Sequence, residues 1–368
     1  MDALLTAMVQ VFTPMNLCGL AAGTMAGILI GAMPGLSVNM GIALLFPMTF
    51  AFSGVGGILM LLGVYCGAIY GGSISAILLK TPGTPASAAT TLDGYPMAVT
   101  LKQPGRALGL STFASLSGGI FSSLCLIILS PQLAKLALQF SKAEYFALAI
   151  FGISIITSVS SGSVLKGLIG GILGLFIATI GVDALTGKLR FTGGSVYLMG
   201  GISFVPVLIG LFAFSQVLAS IEDFYGKSYE KHNVSIKRVF PTVQDLKRVA
   251  VTVIRSSCIG TFIGCVPGTG GDIASFISYD QAKRWSKYKE NFGNGEPEGI
   301  CAPEAGNNAV SGGAMIPMLT LGIAGDAVSA ILLGGLQLHG YQTGPNFMAD
   351  SPNFIYFIGV LLLLVNLM

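Results

Sequence analysis

The fold is decided by one polar stretch, residues 304–326, which has the sequence EAGNNAVSGGAMIPMLTLGIAGD. It combines a carboxylate, two adjacent amides, hydroxyls, several glycines and a proline within an otherwise apolar sequence. Backbone polar groups in hydrocarbon must be satisfied internally, so irregular polar backbone at membrane depth normally lines a cavity. Amide, hydroxyl and carbonyl oxygens are the ligands that a small hard cation prefers, and a helix N-terminus favours an anion. The stretch therefore predicts one half of a solute site.

The whole chain has the composition of an integral membrane protein. Of its 368 residues, 53% are hydrophobic and only 10% are charged, whereas a soluble domain carries about 25% charged residues. The mean hydropathy is +0.79. The six cysteines are scattered without a C-x-x-C pair, which favours packing thiols over disulfides or a metal site. We expect an all-α polytopic protein in a lipid bilayer, with no nucleic-acid partner.

The first apolar segment, residues 13–32, ends in a Pro-Gly break. Its glycines, spaced four residues apart, are Gly19, Gly23, Gly27 and Gly31. This spacing places them on one helix face, which is typical of close helix packing in membranes. At Pro34-Gly35 the proline removes a donor and the glycine frees the backbone. We therefore expect a re-entrant hairpin over about residues 13–52.

A second broken segment is expected over about residues 58–87. It is interrupted by YGGS at 70–73 and reaches another Pro-Gly break at Pro82-Gly83. Asp93 follows in a polar connection, where we expect it to cap or turn at the surface. Further apolar spans, each about the 20 residues that a crossing helix needs, lie near 108–130, 144–160, 163–183 and 196–219.

An internal repeat links the two halves of the chain. The pattern G-x3-G-x2-P-G occurs at residues 27–35 and again at 260–268. Two further matches follow downstream at a similar offset. Gly71-Gly72-Ser73 corresponds to Gly312-Gly313-Ala314, and Pro82-Gly83 corresponds to Ala324-Gly325. Two ordered matches at similar offsets indicate a duplicated unit.

Basic loops give the repeat an orientation. Lysines and arginines cluster in residues 222–248 and 283–290, and basic loops mark the cytoplasmic side. The hairpin between them, about 249–282, should enter and leave on that side. The corresponding hairpin near the N-terminus has flanks without Lys or Arg, so it should enter from outside. The halves would then form an inverted repeat, the layout of secondary transporters with a site at the midplane.

The repeat predicts the domain organisation. The first inverted repeat is expected over residues 1–221, the basic cytoplasmic loop over 222–248, and the second repeat over 249–368. The second repeat is shorter than the first, and the apolar run from about residue 354 has only about 15 residues, too few to cross. We therefore expect that the C-terminal part of the second repeat is missing from this chain.

The sequence resembles the large membrane subunit of the tripartite tricarboxylate transporters along essentially its whole length. The segments that carry the resemblance are 34–36, 70–79, 82–87, 92–98, 267–271 and 304–325. The resemblance implies a symporter of the bacterial inner membrane that is driven by an ion gradient. It also implies a carboxylate substrate, such as citrate, a periplasmic substrate-binding protein that delivers it, and a small membrane subunit. Two departures are Lys80, where the family usually has a neutral amide, and Ala324, where it has proline.

The candidate substrate-binding residues surround the Pro-Gly breaks, where helix N-termini carry an effective charge of about +0.5 each. They are Lys80, Thr81, Pro82, Gly83, Thr84, Ser87, Pro267, Gly268, Thr269, Gly270 and Gly271. The alternative for the glycines is that they only permit tight packing or kinks. For Lys80 the alternatives are pairing with a substrate carboxylate, replacement of a bound cation, and snorkelling to the membrane interface.

We predict Na⁺ as the coupling ion and no organic cofactor. The candidate Na⁺ ligands are Ser37, Asn39, Asn307, Asn308 and Asp272, with interhelical hydrogen bonding as the alternative for the amides. Pro34, Gly35 and Gly325 are further site candidates. Glu304 is another, because intramembrane carboxylates are costly and usually functional, although it could instead cap a helix.

Other classes of protein fit less well. Asp272 and Asp280 suggest an intramembrane protease, but eight residues apart on one helix they lie about 12 Å apart along the axis, too far to share a proton. No G-x-S-x-G, H-E-x-x-H or P-loop motif occurs, so we expect no enzyme. A passive channel would show no dependence on an ion gradient. A proton-coupled dicarboxylate transporter, with the proton on Asp272 or Glu304, is the stronger alternative.

Overall fold

A computed structural model describes residues 11–52, 55–141, 163–183, 186–202, 239–344 and 352–368, with scattered positions at 143–150 and 206–218. The α-helices are α1 (Pro14–Ala32), α2 (Val38–Leu45), α3 (Gly56–Leu79), α4 (Thr91–Tyr95), α5 (Pro104–Ala137), α6 (Val164–Ala178), α7 (Val243–Cys265), α8 (Gly271–Trp285), α9 (Pro297–Leu321), α10 (Ala327–Leu338) and α11 (Pro352–Leu367). Two short strands, β1 (Gly181–Val182) and β2 (Leu189–Arg190), pair antiparallel. Short 3₁₀ helices cover Phe46–Ala51, Pro85–Ala88, Val196–Leu198 and Lys289–Asn291, and π-helical turns cover Pro96–Thr100 and Ile209–Phe214.

Four of these helices, α1, α3, α5 and α7, are long and apolar enough to cross a membrane by length and composition. The chain is therefore a multi-pass helical membrane protein, as its composition predicts. Most of the predicted span at 144–160 and most of the loop at 222–248 lie outside the described residues.

Two predicted interruptions are wrong. Helix α3 runs without a break through residues 70–73, and α9 is helical through most of the 304–326 stretch, which becomes irregular only after Leu321. The glycines in these runs permit close contact instead of ending the helix. A Cβ on Gly71 would lie 2.4 Å from the Ile28 carbonyl oxygen.

Helices α1 and α3 pack at backbone distance. A Cβ on Gly23 would lie 2.2 Å from the Met60 carbonyl oxygen, and one on Gly31 would lie 2.2 Å from the Ala68 carbonyl oxygen. In both contacts the two partners are the same number of residues apart in sequence, so α1 and α3 run parallel. The glycine face of α1 therefore packs as predicted.

Helices α7 and α9 repeat this arrangement. A Cβ on Gly260 would lie 2.0 Å from the Gly306 carbonyl oxygen, and one on Gly313 would lie 2.4 Å from the Thr261 carbonyl oxygen. The first helix of each pair also ends in the same way. Met33, after α1, has φ −89° and ψ 114°, and Val266, after α7, has φ −90° and ψ 110°. The repeated sequence pattern thus forms the same helix end twice.

Helix α5 lies between the two pairs and fixes their relative direction. Its Ser111 hydroxyl donates to the Ser73 hydroxyl on α3 at 2.8 Å, and Tyr70, three residues earlier, pairs with Thr112 at 2.8 Å, so α3 and α5 are antiparallel. Against α9, Gly118 meets Ala305 and Ser122 meets Gly312, so α5 and α9 are parallel. Helices α3 and α9 therefore run in opposite directions.

Asp93 is fully buried, so its expected place at the surface is wrong. One of its carboxylate oxygens accepts hydrogen bonds from the backbone N–H groups of Gly293, Gly295 and Glu296 at 2.9, 2.9 and 2.7 Å. The other accepts from the Tyr279 hydroxyl at 2.9 Å. Because bonds to an ionised acceptor are stronger than neutral ones, this carboxylate anchors the α8–α9 loop to the segment after α3.

Two ion pairs lie at the start of α7 and in the loop before α9. Arg106 binds Asp245 at 2.5 Å, joining the start of α5 to the start of α7. Arg248 binds Glu296 at 2.7 Å and stacks 3.7 Å from the centre of the Tyr288 ring. Arg248 thus joins α7 to the α8–α9 loop, and Arg106 joins α5 to α7, as expected if this end of the helices is cytoplasmic.

The close approach of α1 and α3 gives a first prediction. We expect Gly23→Ala to destabilise the protein by at least about 1–3 kcal/mol, because the methyl group has no space and overpacking has that cost. Gly170→Ala on α6 is the matched control, since a Cβ there meets nothing within 4 Å; it should be neutral or slightly stabilising. Thermal unfolding in detergent measures both. Equal unfolding temperatures for the two variants would contradict the packing described.

Candidate functional site

Four helix breaks converge on one cavity of about 420 Å³. They lie between α1 and α2, after α3, between α7 and α8, and between α9 and α10. The cavity is lined by Ser37, Val38, Asn39, Tyr65, Ile69, Thr84, Pro85, Ala86, Gly268, Thr269, Gly270, Gly271, Asp272, Ile273, Asn307, Val310, Asp326, Ala327 and Val328. Both repeats contribute equivalent segments, so the duplicated sequence builds both sides of the cavity.

Glycines bring the breaks together. A Cβ on Gly83 would lie 1.9 Å from the Gly31 carbonyl oxygen, and one on Gly325 would lie 2.6 Å from the Gly264 carbonyl oxygen. In each half the break after the second long helix therefore rests against the end of the first. The Gly268 N–H also donates to the Gly325 carbonyl at 2.7 Å.

Helices α2, α8 and α10 all begin at the cavity, but their N-termini differ. The Ser37 side chain caps α2 by accepting from the Met40 N–H at 3.2 Å, and Asp326 caps α10 by accepting from the Ser329 N–H at 2.7 Å. Helix α8 begins after Gly270, which has φ 131° and provides no side-chain cap. The first N–H groups of α8 therefore remain available to a bound anion.

Two amide side chains at the cavity have unsatisfied atoms. Asn307 is 1% exposed, and both its amide oxygen and its amide nitrogen lack a hydrogen-bond partner. The amide oxygen of Asn39 also lacks one. Gly271 brings the α8 backbone close, since a Cβ there would lie 2.2 Å from the Asn307 Oδ1. A buried unsatisfied polar group costs about 1–3 kcal/mol, so these atoms favour a ligand.

Two carboxylates flank Gly270. A Cβ on this glycine would lie 2.9 Å from Oδ1 of Asp272 and 3.7 Å from Cβ of Asp326. Within the described part of the chain neither carboxylate has a basic ion-pair partner. The amide oxygens of Asn39 and Asn307 and these carboxylates form an all-oxygen donor set, which suits a hard cation such as Na⁺.

Sequence reasoning missed Asp326 and Tyr65 as lining residues. Asp326 had a signal, because it is a carboxylate directly after a helix break in an apolar region. Tyr65 had none, since it lies inside the uniform apolar run of α3, and it lines the cavity next to Asp326.

The structure places the predicted site residues in two groups. Those that line the cavity are Ser37, Asn39, Thr84, Gly268, Thr269, Gly270, Gly271, Asp272 and Asn307. Those outside its lining are Pro34, Gly35, Lys80, Thr81, Pro82, Gly83, Ser87, Pro267, Glu304, Asn308 and Gly325. Several of the second group support the first: the Ser87 side chain accepts from the Thr84 N–H at 3.3 Å.

Lys80 ends α3 in the left-handed conformation, with φ 58°. Its side chain is exposed, and its Nζ lies 5.5 Å from the centre of the Tyr95 ring. This position favours the interfacial lysine among the predicted alternatives, while a role in substrate binding stays a prediction.

Glu304 lies in the interior of α9 and is fully buried, so it does not cap the helix. Its carboxylate accepts from the Thr90 hydroxyl at 2.5 Å and from the Ser115 hydroxyl at 3.1 Å. Asn308, the next amide after Asn307, instead donates to the Glu304 backbone carbonyl at 2.9 Å.

Helix breaks that meet at a polar cavity in a multi-pass helical protein define a membrane transporter. The chain matches the tripartite tricarboxylate transporter TctA family over residues 17–368 and belongs to that family. The resemblance seen in the sequence is thereby confirmed, and the family is one of transporters, not of enzymes. Membership in a tripartite transporter family implies partner subunits.

Two uncharacterised proteins of Agrobacterium vitis are similar to the chain. A 52.8 kDa protein in the TAR-I ttuC' 3' region is 39% identical over 362 residues, which make up 96% of this chain and 71% of that protein. A protein in the TAR-II ttuC' 3' region is 38% identical over 112 residues, which make up 29% of this chain and 46% of that protein. No solved structure matches the chain.

The unsatisfied Asn307 amide gives a second prediction. If this amide binds Na⁺, the cation stabilises the folded state by mass action. Loss of one ligand worth about 1.4 kcal/mol weakens binding about tenfold. Asn307→Ala should therefore raise by about tenfold the Na⁺ concentration that gives half of the maximal rise in unfolding temperature. Glu298→Gln should change it much less, because Glu298 lies on the same helix but does not line the cavity. The unfolding temperature of each variant is measured at increasing NaCl concentrations, with choline chloride added to keep the ionic strength constant. Equal shifts in both variants would exclude Asn307 as a ligand.

Proposed function

We propose that this chain is the permease subunit of a Na⁺-coupled carboxylate importer in the bacterial inner membrane. The observation that supports this most directly is the cavity at which the uncapped start of α8 meets the Asp272 and Asp326 carboxylates and two unsatisfied amides. The substrate class is a tricarboxylate such as citrate, or a related carboxylate. A periplasmic binding protein delivers it, and a small membrane subunit completes the transporter.

The cavity carries candidate groups for an anion and for a cation next to each other at the start of α8. The N–H groups at the start of α8 and the Thr84 side chain suit substrate carboxylates. The carboxylates of Asp272 and Asp326, with Asn39 and Asn307, suit Na⁺. Candidate ligands of both ions therefore lie within one cavity.

This arrangement provides a physical reason for coupling. Two like charges about 4 Å apart repel by about 4 kcal/mol at an effective dielectric constant of about 20, so a polyanionic substrate is repelled while Asp272 and Asp326 are uncompensated. Each Na⁺ that binds there cancels one of the two negative charges and so weakens the repulsion. Substrate then binds tightly only after the cation, as symport requires.

The opposite directions of the two parallel helix pairs support an inverted repeat. Helices α1 and α3 carry two of the breaks, and α7 and α9, which run the other way, carry the other two. In secondary transporters this arrangement allows one half to rock against the other around a central site. We infer that substrate is released by movement of the broken segments of the two halves around the cavity.

The transport prediction is Na⁺-dependent uptake. Proteoliposomes with the small subunit and the binding protein should accumulate citrate or another carboxylate only with an inward Na⁺ gradient. Asp272→Asn should raise the Na⁺ concentration for half-maximal uptake. Asp280→Asn should not, because Asp280 is an exposed residue in the C-terminal half of the same helix. Full uptake without Na⁺ under a pH gradient would favour the proton-coupled dicarboxylate transporter, and uptake without any gradient dependence would indicate a channel.

The inverted repeat is tested by cysteine labelling. In a background without native cysteines, Lys287→Cys should react with an impermeant reagent from the cytoplasmic side, because its loop is basic. Ser53→Cys, which falls outside the described residues, should react from the opposite side. Lys231→Cys, which also lies outside the described residues, should react from the same side as Lys287→Cys. Labelling of all three from one side would refute the inverted orientation.

A further inference from the structure

A second cavity, of about 150 Å³, lies beside Glu304 and apart from the first one. Its polar lining consists of Thr24, Tyr70, Thr112, Ser115, Asn308 and Asn366. Ser115 connects it to the buried carboxylate, because this hydroxyl lines the cavity and also donates to Oε2 of Glu304. The lining residues come from α1, α3, α5, α9 and α11, so the cavity lies where the two helix pairs and α5 meet.

Hydroxyl groups surround the Glu304 carboxylate. Thr90 donates to one carboxylate oxygen at 2.5 Å and Ser115 to the other at 3.1 Å. Ser111 and Ser73, which bond to each other at 2.8 Å, complete the group. All four hydroxyl residues are 5% exposed or less, and Glu304 is fully buried.

Glu304 has no charge partner in the described part of the chain. No lysine, arginine or histidine there forms an ion pair with it. The titratable groups that face it are Tyr70 from α3 and Cys301 on its own helix, and α5 and the segment around Thr90 present only hydroxyls. An isolated ionised carboxylate in an apolar interior is very unfavourable, so either a proton or a bound cation must neutralise Glu304.

We propose that Glu304, with the hydroxyls of Ser73, Thr90, Ser111 and Ser115, forms a second Na⁺ site, reached through the smaller cavity. A serine or threonine hydroxyl can turn from donating to the carboxylate to presenting a lone pair to a cation. The six oxygens then resemble the ligand set of a hard cation. The single negative charge selects a monovalent ion, because a divalent one would leave an uncompensated positive charge.

The position of this site connects it to transport. Glu304 belongs to α9, whereas all four hydroxyls belong to α3, α5 and the segment between them. A cation bound here would therefore tighten the contact between the two halves. The proposal deepens the Na⁺ coupling proposed above, and it rests on that function only for its uptake measurement.

The test separates the two cation sites in the purified protein. Thermal unfolding is followed against NaCl, with choline chloride as ionic-strength control, in the wild type, Asn307→Ala, Glu304→Gln and the double variant. Each single variant should lose one part of the Na⁺-dependent stabilisation, and the double variant should lose all of it, since distant sites act additively. In proteoliposomes Glu304→Gln should make the Na⁺ dependence of uptake less steep.

Glu298→Gln is the matched control, because Glu298 is a buried carboxylate on the same helix and lines neither cavity. Its Na⁺ response should equal that of the wild type. If Glu304→Gln does not fold, Ser115→Ala and Thr90→Val test the site instead, because each removes a neutral ligand. Each should raise the Na⁺ concentration at which the part of the thermal stabilisation due to the second site is half complete.

Three outcomes would overturn the proposal or separate it from the proposed function. An unchanged Na⁺ response in Glu304→Gln, Ser115→Ala and Thr90→Val would exclude the second site. Stabilisation of the wild type by acid, lost in Glu304→Gln and independent of Na⁺, would replace the cation by a proton. A response that Glu304→Gln abolishes and Asn307→Ala leaves intact would support the second site while contradicting the Na⁺ site of the main cavity.

Discussion

The structure depends on helix contacts at backbone distance. In a membrane the hydrophobic effect does not drive helices together, so packing and weak Cα–H···O contacts must do so. The Gly23–Met60 and Gly260–Gly306 contacts are of this kind. They bring the end of one helix against the break of another, as at Gly31–Gly83 and Gly264–Gly325. A methyl group at these positions would force apart the segments that form the cavity.

The carboxylates of the protein fall into two groups with different partners. Asp245 and Glu296 pair with arginines, and Asp93 accepts three backbone N–H bonds and a tyrosine hydroxyl. Asp272 and Glu304 have no basic partner in the described part of the chain. Asp245, Glu296 and Asp93 thus have charged partners or several hydrogen bonds, whereas the carboxylates at the two cavities have no basic partner among the described residues. A cation from solution would compensate them, as the proposed coupling to a cation gradient requires.

The sequence predicted the pairing of the breaks better than the path of the helices between them. The G-x3-G-x2-P-G repeat led to two helix ends with nearly the same dihedral angles, because local backbone chemistry determines such an end. The glycines at 70–73 and 312–313 were ambiguous, since a glycine can end a helix or allow a close neighbour, and only tertiary packing decides between them. Asp93 was misplaced for a similar reason: the backbone N–H groups that bind it come from a loop some 200 residues away.

Among the site residues, polar groups in apolar segments were predictable, whereas the partners that tertiary packing brings to them were not. Asn39, Asn307 and Asp272 are polar groups in an apolar sequence, and the cost of burying them indicated a ligand. Glu304 carried the same signal, but its four hydroxyl neighbours come from three separate segments, so a sequence without contacts could not assemble them. Lys80 shows the opposite case. Its position beside a break suggested the cavity, whereas the left-handed end of α3 directs it to Tyr95.

The distribution of contacts also indicates which parts can move. Helix α5 is packed tightly against α9 through Gly118 and Gly312, and the bonds of Ser115 and Thr90 to Glu304 reinforce that contact. The breaks have few regular backbone hydrogen bonds, and such segments open at lower free energy than packed helices. Alternating access would therefore involve the broken segments and short helices α2, α8 and α10 more than sliding of α9 along α5. A cation at Glu304 would then hold the rigid part of the protein together while cation and substrate in the main cavity control the part that moves.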